Sequence, residues 1–274
     1  MGGIREKYGT LQSPPVIYSI FMLRFSQQHN IESKISEIQA SLNAQYPIYE
    51  KRTVNNLEVQ FANDGVQNVI QTTAENEHHF IDADRISAVL IKNDRIIFHT
   101  TLYPKDGFPA FSSWIFDSLI KIVETLNLTH YLSIGLRTID VIEAQLDSQH
   151  SDYLNANFIP LELENIGLIL NESRQVFSYK THLGILLLKS YFLRNAGNGI
   201  PSELDNLANV LSHTKKFSDA VIIDTDHLCS PEGLKATPFD VNELSDKMLA
   251  AHAISSSVFE NTVTPKAFQK WSTP

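Results

Sequence analysis

The sequence predicts an α+β fold built from mostly antiparallel sheets with helices packed on one face. Segments with strand character come in runs, and each run carries one segment with helical periodicity, which is typical of α+β domains. Neither glycine-rich loop of the nucleotide-binding α/β folds, G-x-G-x-x-G or G-x-x-x-x-G-K-[ST], occurs in the chain. We therefore expect two small halves that each resemble an α/β sandwich.

The first half is predicted in the order β-α-β-β-β-α-β. A β-branched and aromatic run follows Pro14-Pro15, and apolar residues recur at helical spacing from Ile31 to Leu42. Lys92-Asn93-Asp94 joins two alternating strands as a hairpin turn. The predicted elements are strands at 16–25, 57–61, 86–91, 95–101 and 131–142, and helices at 31–45 and from Ser112 or Ser113 to about residue 128.

A polar stretch from Ala144 to about Asn157 divides the chain. It predicts an N-terminal domain at residues 14–145 and a C-terminal α+β domain at residues 158–274 that ends in a long helix. In the second domain, a hairpin at 175–179 and 182–192 and a short buried strand at 220–225 precede a helix at 241–261.

Composition excludes several classes of protein. The only cysteine, Cys229, cannot form an internal disulfide or a four-thiolate zinc site, which fits a reducing compartment and a cytoplasmic location. No apolar run approaches the ~20 residues of a membrane helix. The net charge of −9 disfavours nucleic acid as a partner, because phosphate binding depends on concentrated Lys and Arg. We expect a protein partner or a homo-oligomer.

The candidate metal ligands are Asp224, Asp226 and His227. The two carboxylates follow the buried-looking run Val221-Ile222-Ile223 and share one face of a strand, and hard divalent ions favour such oxygen ligands. The alternative is that the two aspartates end the strand, cap a neighbouring turn or pair with a basic residue such as Arg137. Arg137 is a cation inside an apolar strand, so it must pair with a carboxylate or face solvent. Asp140 is a further candidate partner of Arg137.

Several segments, taken in order, resemble a sporadically distributed family of uncharacterised bacterial proteins of similar length. The segments are Val16 to Phe25 with the helix that follows, His79 to Asp84, Thr100 to Tyr103 leading into Phe108 to Trp114, Ile134 to Asp140, Val221 to Asp226, and a last helix with Leu249, His252 and Phe259. The resemblance implies a bacterial cytosolic protein, and a patchy distribution implies an accessory or defence-associated role. The family tends to have Arg-Tyr-Ile-Asn at Arg137-Thr138-Ile139-Asp140, so Thr138 and Asp140 depart from it.

The leading functional hypothesis is a non-enzymatic binding or adaptor protein that forms part of a larger assembly. The aromatic residues Tyr103, Phe108, Phe111 and Trp114 are its candidate interface, since aromatic side chains anchor many interfaces. No catalytic residue and no organic cofactor is predicted.

Two alternatives follow from other residues. A metal-dependent hydrolase or nuclease would use Asp224 and Asp226 to hold an ion that activates water, with His227 or Arg137 assisting. An RNA-binding or RNA-processing subunit would require a basic groove that includes Lys92, Arg95, Lys189 and Arg194.

Overall fold

The structure, a computed structural model, describes residues 11–60, 69–143, 149–161, 166–213, 215–230 and 235–272. Its strands are β1 Val16–Arg24, β2 Ile48–Gln60, β3 Val69–Ile81, β4 Ser87–Lys92, β5 Arg95–Thr100, β6 His130–Tyr131, β7 Ser133–Glu143, β8 Glu172–Lys180, β9 Gly184–Leu193, β10 Ala220–Cys229 and β11 Thr237–Pro238. Its helices are α1 Ile31–Leu42, α2 Phe108–Leu126, α3 Asp205–Ala208, α4 Val241–Thr262 and α5 Pro265–Ser272. The predicted α+β class is confirmed.

Nine of the strands form one antiparallel sheet in the order β2-β3-β4-β5-β1-β7-β10-β9-β8. Strand β7 lies before the predicted domain boundary and β10 lies after it, yet the two pair over ten residues from Ala220↔Glu143 to Cys229↔Ile134. Strands of both predicted halves therefore belong to one sheet. The division at residues 145 and 158 stays a prediction, and residues 144–148 of the boundary segment lie outside the described residues.

The two faces of the sheet are covered differently. The helix face, which carries Phe21, Leu136 and Ile223, packs against α1, α2, α4 and α5. The opposite face, which carries Ile20 and Ile222, packs against the segment 194–217 that contains α3. Because successive strand residues alternate between faces, the parity of a residue number within a strand decides which of the two environments it meets.

Helix α2 begins at Phe108, earlier than the predicted start at Ser112 or Ser113. Gly107 precedes it with a positive φ of 73°, and Pro109 occupies its first turn. Proline is tolerated there because its missing N–H would have no partner inside the helix. The helix ends at Asn127, which adopts a left-handed conformation and closes the last turn through its backbone N–H.

Strand β3 is the main element that the sequence pattern missed. Its central residues, 71–79, are polar apart from Ala74, but it pairs with β2 over thirteen positions, from Ile48↔Ile81 to Gln60↔Val69. Strand β2 likewise begins at Ile48 and includes the predicted strand up to Gln60, whereas Phe61 lies outside the described residues. None of the described helices combines the length and the apolar character needed to cross a bilayer.

Candidate functional site

The predicted metal ligand Asp224 takes part in an ion-pair network on the opposite face. Arg137 donates to both of its carboxylate oxygens, with Nε 2.8 Å from Oδ1 and Nη2 2.6 Å from Oδ2. Lys189 Nζ lies 3.4 Å from Oδ2, and Glu203 accepts from both cations. Burial opposes the ionisation of Glu203, but the bonds from Arg137 and Lys189 outweigh it and lower its pKa to about 2. The expected pairing of Arg137 with a strand carboxylate is confirmed.

The structure does not bring the three predicted metal ligands together. Asp226 shares the face of Asp224, and burial raises the pKa of its carboxyl. His227 points to the helix face, where Nε2 lies 3.0 Å from the Thr181 hydroxyl and Nδ1 lies 3.3 Å from the Ala251 carbonyl oxygen. Among the described residues, no group of three or more His, Cys, Asp and Glu side chains is arranged to hold a metal ion. Metal binding by this trio stays a prediction without geometric support.

The four aromatic residues of the predicted interface pack together around the start of α2. The ring centroid of Phe111 lies 5.9 Å from that of Tyr103, 5.9 Å from that of Phe108 and 5.6 Å from that of Trp114. Phe108 and Phe111 are buried in the main core, and Tyr103 and Trp114 are partly buried against it. An interface role stays a prediction, but two of its four anchors are not available at the surface.

Tyr103 and Phe108 instead help to line a cavity of about 480 Å³ on the helix face. Its floor is formed by β1 and β7, its far wall by α4 and α5, and its rim by the loop that leads into α2. This volume is within the range of cavities that hold small organic molecules. Apolar residues form most of the lining, namely Leu11, Pro14, Val16, Tyr103, Pro104, Phe108, Pro109, Leu136, Leu249, Phe259 and Phe268.

Asp140 is the most unusual polar group in this lining. The alternation of β7 places it on the helix face beside Leu136 and Thr138, and the residue is only 3% exposed. No described residue forms a hydrogen bond or an ion pair with its carboxyl group. Burial, reinforced by the negative charge of Asp224 on the neighbouring strand, raises the pKa of Asp140 to about 8.

Helix α4 supplies the polar groups across the cavity. Ser255 is 6% exposed, and its Oγ has no hydrogen-bond partner among the described residues. One turn away from it, the His252 ring lies flat on Phe108 at 3.7 Å between centroids, and its Nε2 is 3.2 Å from Ser256 Oγ. The cavity therefore offers a flat aromatic wall and two buried polar groups, Asp140 and Ser255, that form no side-chain hydrogen bond with any residue the structure describes.

From the sequence, Asp140 is predicted only as a candidate partner of Arg137. Residues three apart in a strand point to opposite faces, so Arg137 meets Asp224 on one face while Asp140 meets the cavity on the other. The spacing of three residues between Arg137 and Asp140 is a signal for this difference in the sequence. An acidic residue between Ile139 and Val141 that points away from Arg137 must have another environment.

No protein-family model matches this chain, and no curated protein is significantly similar to it. The resemblance to a sporadically distributed bacterial family stays a prediction.

Proposed function

We propose that this protein is a non-enzymatic binding protein whose cavity holds a small organic molecule. The observation that carries the proposal is the pair of buried polar groups, Asp140 and Ser255, that line the cavity without partners among the described residues. A buried polar group that forms no hydrogen bond raises the free energy of the folded state by about 1–3 kcal/mol. A molecule bound in the cavity would supply the missing partners.

The composition of the walls supports the same proposal. Binding sites for small molecules are mostly apolar, with a few polar groups that fix the orientation of the ligand. The aromatic side chains of Tyr103, Phe108 and Phe259 provide flat apolar surfaces around the two polar groups. The stacked pair of Phe108 and His252 holds one of these walls in a fixed orientation. A planar or aliphatic molecule with one polar end fits this distribution.

The other functional hypotheses have less support. Both carboxylate oxygens of Asp224 already bind Arg137, which leaves them poor ligands for a catalytic metal ion. Each basic residue of the hypothetical RNA groove is paired with a carboxylate: Lys92 with Glu77, Arg95 with Asp94, Lys189 with Glu203 and Arg194 with Asp219. Pairing of this kind lowers the positive potential on which phosphate binding depends. The proposal keeps the cytoplasmic location expected from the sequence.

A fragment screen by ligand-observed NMR tests the proposal. The full-length chain is screened against small apolar and aromatic compounds, and the hits are repeated with Thr138→Phe, which places a large ring inside the cavity. Thr53→Phe, the same substitution at an exposed position of β2, is the control. We expect hits with the wild type and with Thr53→Phe that disappear with Thr138→Phe. No hits, or hits equally strong with a folded Thr138→Phe variant, would contradict the proposal.

A further inference from the structure

We infer that the cavity selects small organic cations, and that the carboxylate of Asp140 forms the ion pair with a ligand ammonium group. This inference rests on the proposed binding function and names the ligand class of the same site. It rests on the position of Asp140, a nearly fully buried carboxyl that faces the cavity and has no cationic partner among the described residues.

The charges around the cavity favour a cation over an anion. Apart from Glu260, which has an interaction partner of its own, the described lining contains the carboxyl groups of Asp106 and Asp140 and neither lysine nor arginine. Asp224, on the next strand, adds negative charge behind Asp140. A carboxylate ligand would find no lysine or arginine in the described lining, whereas an ammonium ligand would pair with the ionised form of Asp140.

The aromatic walls favour the same ligand class. The faces of Tyr103, Phe108 and Phe259 can contact either an apolar body or a positive charge, because the quadrupole of an aromatic ring attracts cations. The hydroxyl of Ser255, which has no hydrogen-bond partner in the described part of the chain, can accept a second hydrogen bond from an ammonium group. An arylalkylamine matches this combination of an apolar body and a compact cationic end.

Ligand affinity is expected to depend on pH, because the Asp140 carboxyl group must lose its proton to pair with an ammonium group. With its pKa at about 8, Asp140 is mostly protonated at pH 7 in the empty protein. An ammonium ligand binds the ionised form, so binding releases a proton and affinity rises as the pH rises towards 8. The expected slope is about tenfold per pH unit below pH 7. Asp106 on the rim and His252 and Glu260 on α4 also face the cavity, so the slope must be compared with that of a variant that retains all three.

The test uses isothermal calorimetry with three probes of one shape: 2-phenylethylamine, 2-phenylethanol and 3-phenylpropanoate. We expect the amine to bind at least tenfold more tightly than the alcohol at pH 7.5 and the carboxylate to bind weakest. In Asp140→Asn, which keeps the shape of the side chain, we expect the preference for the amine and the pH slope to disappear.

The outcomes separate the two proposals. Binding of the alcohol that Thr138→Phe abolishes, without a preference for the amine, would overturn the cation inference and leave the binding function standing. Tighter binding of 3-phenylpropanoate would do the same. Binding of none of the three at millimolar concentration would contradict both. An amine preference that survives in a folded Asp140→Asn variant would overturn the role of Asp140 alone.

A second observation, independent of the cavity, concerns the free edge of the sheet. Among the described strands, β8 lies at the end of the sheet and pairs with β9 alone, and most of its residues are exposed, with Val176 at 62% and Tyr179 at 44%. An exposed edge with unpaired backbone groups is a template for another strand. We propose that β8 pairs antiparallel with β8 of a second copy of this chain across a twofold axis at Val176.

The charges along β8 select this register. Pairing centred on Val176 places Glu172 of each copy opposite Lys180 of the other, and Arg174 opposite Ser178. Shifting the centre to Phe177 would place Arg174 opposite Lys180, and like charges directly opposite each other are destabilising. A register in which even-numbered residues of one copy lie opposite odd-numbered residues of the other would place the helix face of one sheet beside the opposite face of the other. Within one copy, Glu172 lies 3.5 Å from Arg174, so the interface pair competes with this contact.

Sedimentation velocity over a range of concentrations tests the dimer. We expect a concentration-dependent dimer for the wild type, monomer for Lys180→Glu, and recovery of the dimer in the charge-swapped Glu172→Lys/Lys180→Glu variant. The swapped variant shows that loss in the single variant does not come from misfolding. A wild-type chain that stays monomeric up to about 100 μM would overturn the proposal. A dimer that Lys180→Glu leaves intact would also overturn it.

Discussion

Replacing the native Asp140 by Asn is expected to stabilise the folded protein. The pKa of this carboxyl moves from an ordinary value of 3.8 to about 8 in the folded state. Each unit corresponds to about 1.4 kcal/mol, so holding the group protonated at pH 7, where the unfolded chain is ionised, costs about 4 kcal/mol. An asparagine amide at the same place carries no such cost.

The stabilisation by Asp140→Asn is expected to depend on pH. A carboxyl whose folded-state pKa is raised binds more protons in the folded state than in the unfolded state, so its contribution to stability falls as pH rises from about 4 to about 8. The stability gained in Asp140→Asn should therefore grow by about 1.4 kcal/mol per pH unit between pH 5 and pH 7. At pH 7, a gain of 2–4 kcal/mol corresponds to a rise in Tm of roughly 5–10 °C for a chain of this size.

Urea denaturation followed by circular dichroism at pH 5, 6 and 7 measures this gain. Asp224→Asn is the matched control, since it is also a buried strand carboxylate but is paired with Arg137. Breaking a buried ion pair destabilises by about 3–5 kcal/mol, so the control should move in the opposite direction. An Asp140→Asn variant that is less stable than the wild type at pH 7, or a difference that does not change with pH, would refute the reasoning about this group.

Three further predictions concern other groups. Ser255→Ala should leave the unfolding free energy unchanged or raise it by up to about 1 kcal/mol, because the lost hydroxyl has no hydrogen-bond partner among the residues that the structure describes. A large loss of stability on urea denaturation would contradict this. Cys229, whose pKa burial raises to about 12, should not react with a thiol reagent in the native state and should react fully in urea; fast native labelling would contradict its burial. Mg²⁺ or Mn²⁺ should not raise Tm, because Arg137 occupies the oxygens of Asp224, and a metal-dependent rise lost in Asp224→Ala/Asp226→Ala would revive the hydrolase hypothesis.

Local patterns in the sequence predicted an element correctly where the spacing of its apolar residues determined which of them are buried. The isoleucines of α1 all face the core as their spacing predicts, and the β4–β5 hairpin turns at Asn93-Asp94 as expected. These elements depend on neighbours three to five residues away, so their signal is present in a short window.

The elements that the sequence pattern missed depend on distant partners. Strand β3 has no apolar periodicity over most of its length and is held by pairing with β2. The continuous sheet depends on the pairing of β7 with β10, whose partners lie 77 to 95 residues apart, from Ala220↔Glu143 to Cys229↔Ile134, and no local pattern encodes that contact. Strand pairing of this kind overrides local propensity.

The candidate site could not be predicted from the sequence for a related reason. Its polar groups come from β7 and α4, and no short motif joins Asp140 to Ser255 or His252. The sharpest acidic motif, Asp224-Thr225-Asp226, belongs instead to the ion-pair network. A buried carboxylate can therefore be found in the sequence, but whether it faces a cation or a cavity depends on the packing of the sheet.

The central claim is that the cavity binds a small organic cation at Asp140. A crystal of the full chain soaked with 4-bromophenylethylamine tests it most directly, because the anomalous signal of bromine locates the molecule independently of the protein. The account predicts a bromine peak among Tyr103, Phe108 and Phe259, with the ammonium nitrogen within hydrogen-bond distance of the Asp140 carboxylate. An empty cavity in crystals that diffract well, or a molecule bound with its ammonium group directed away from Asp140, would contradict it.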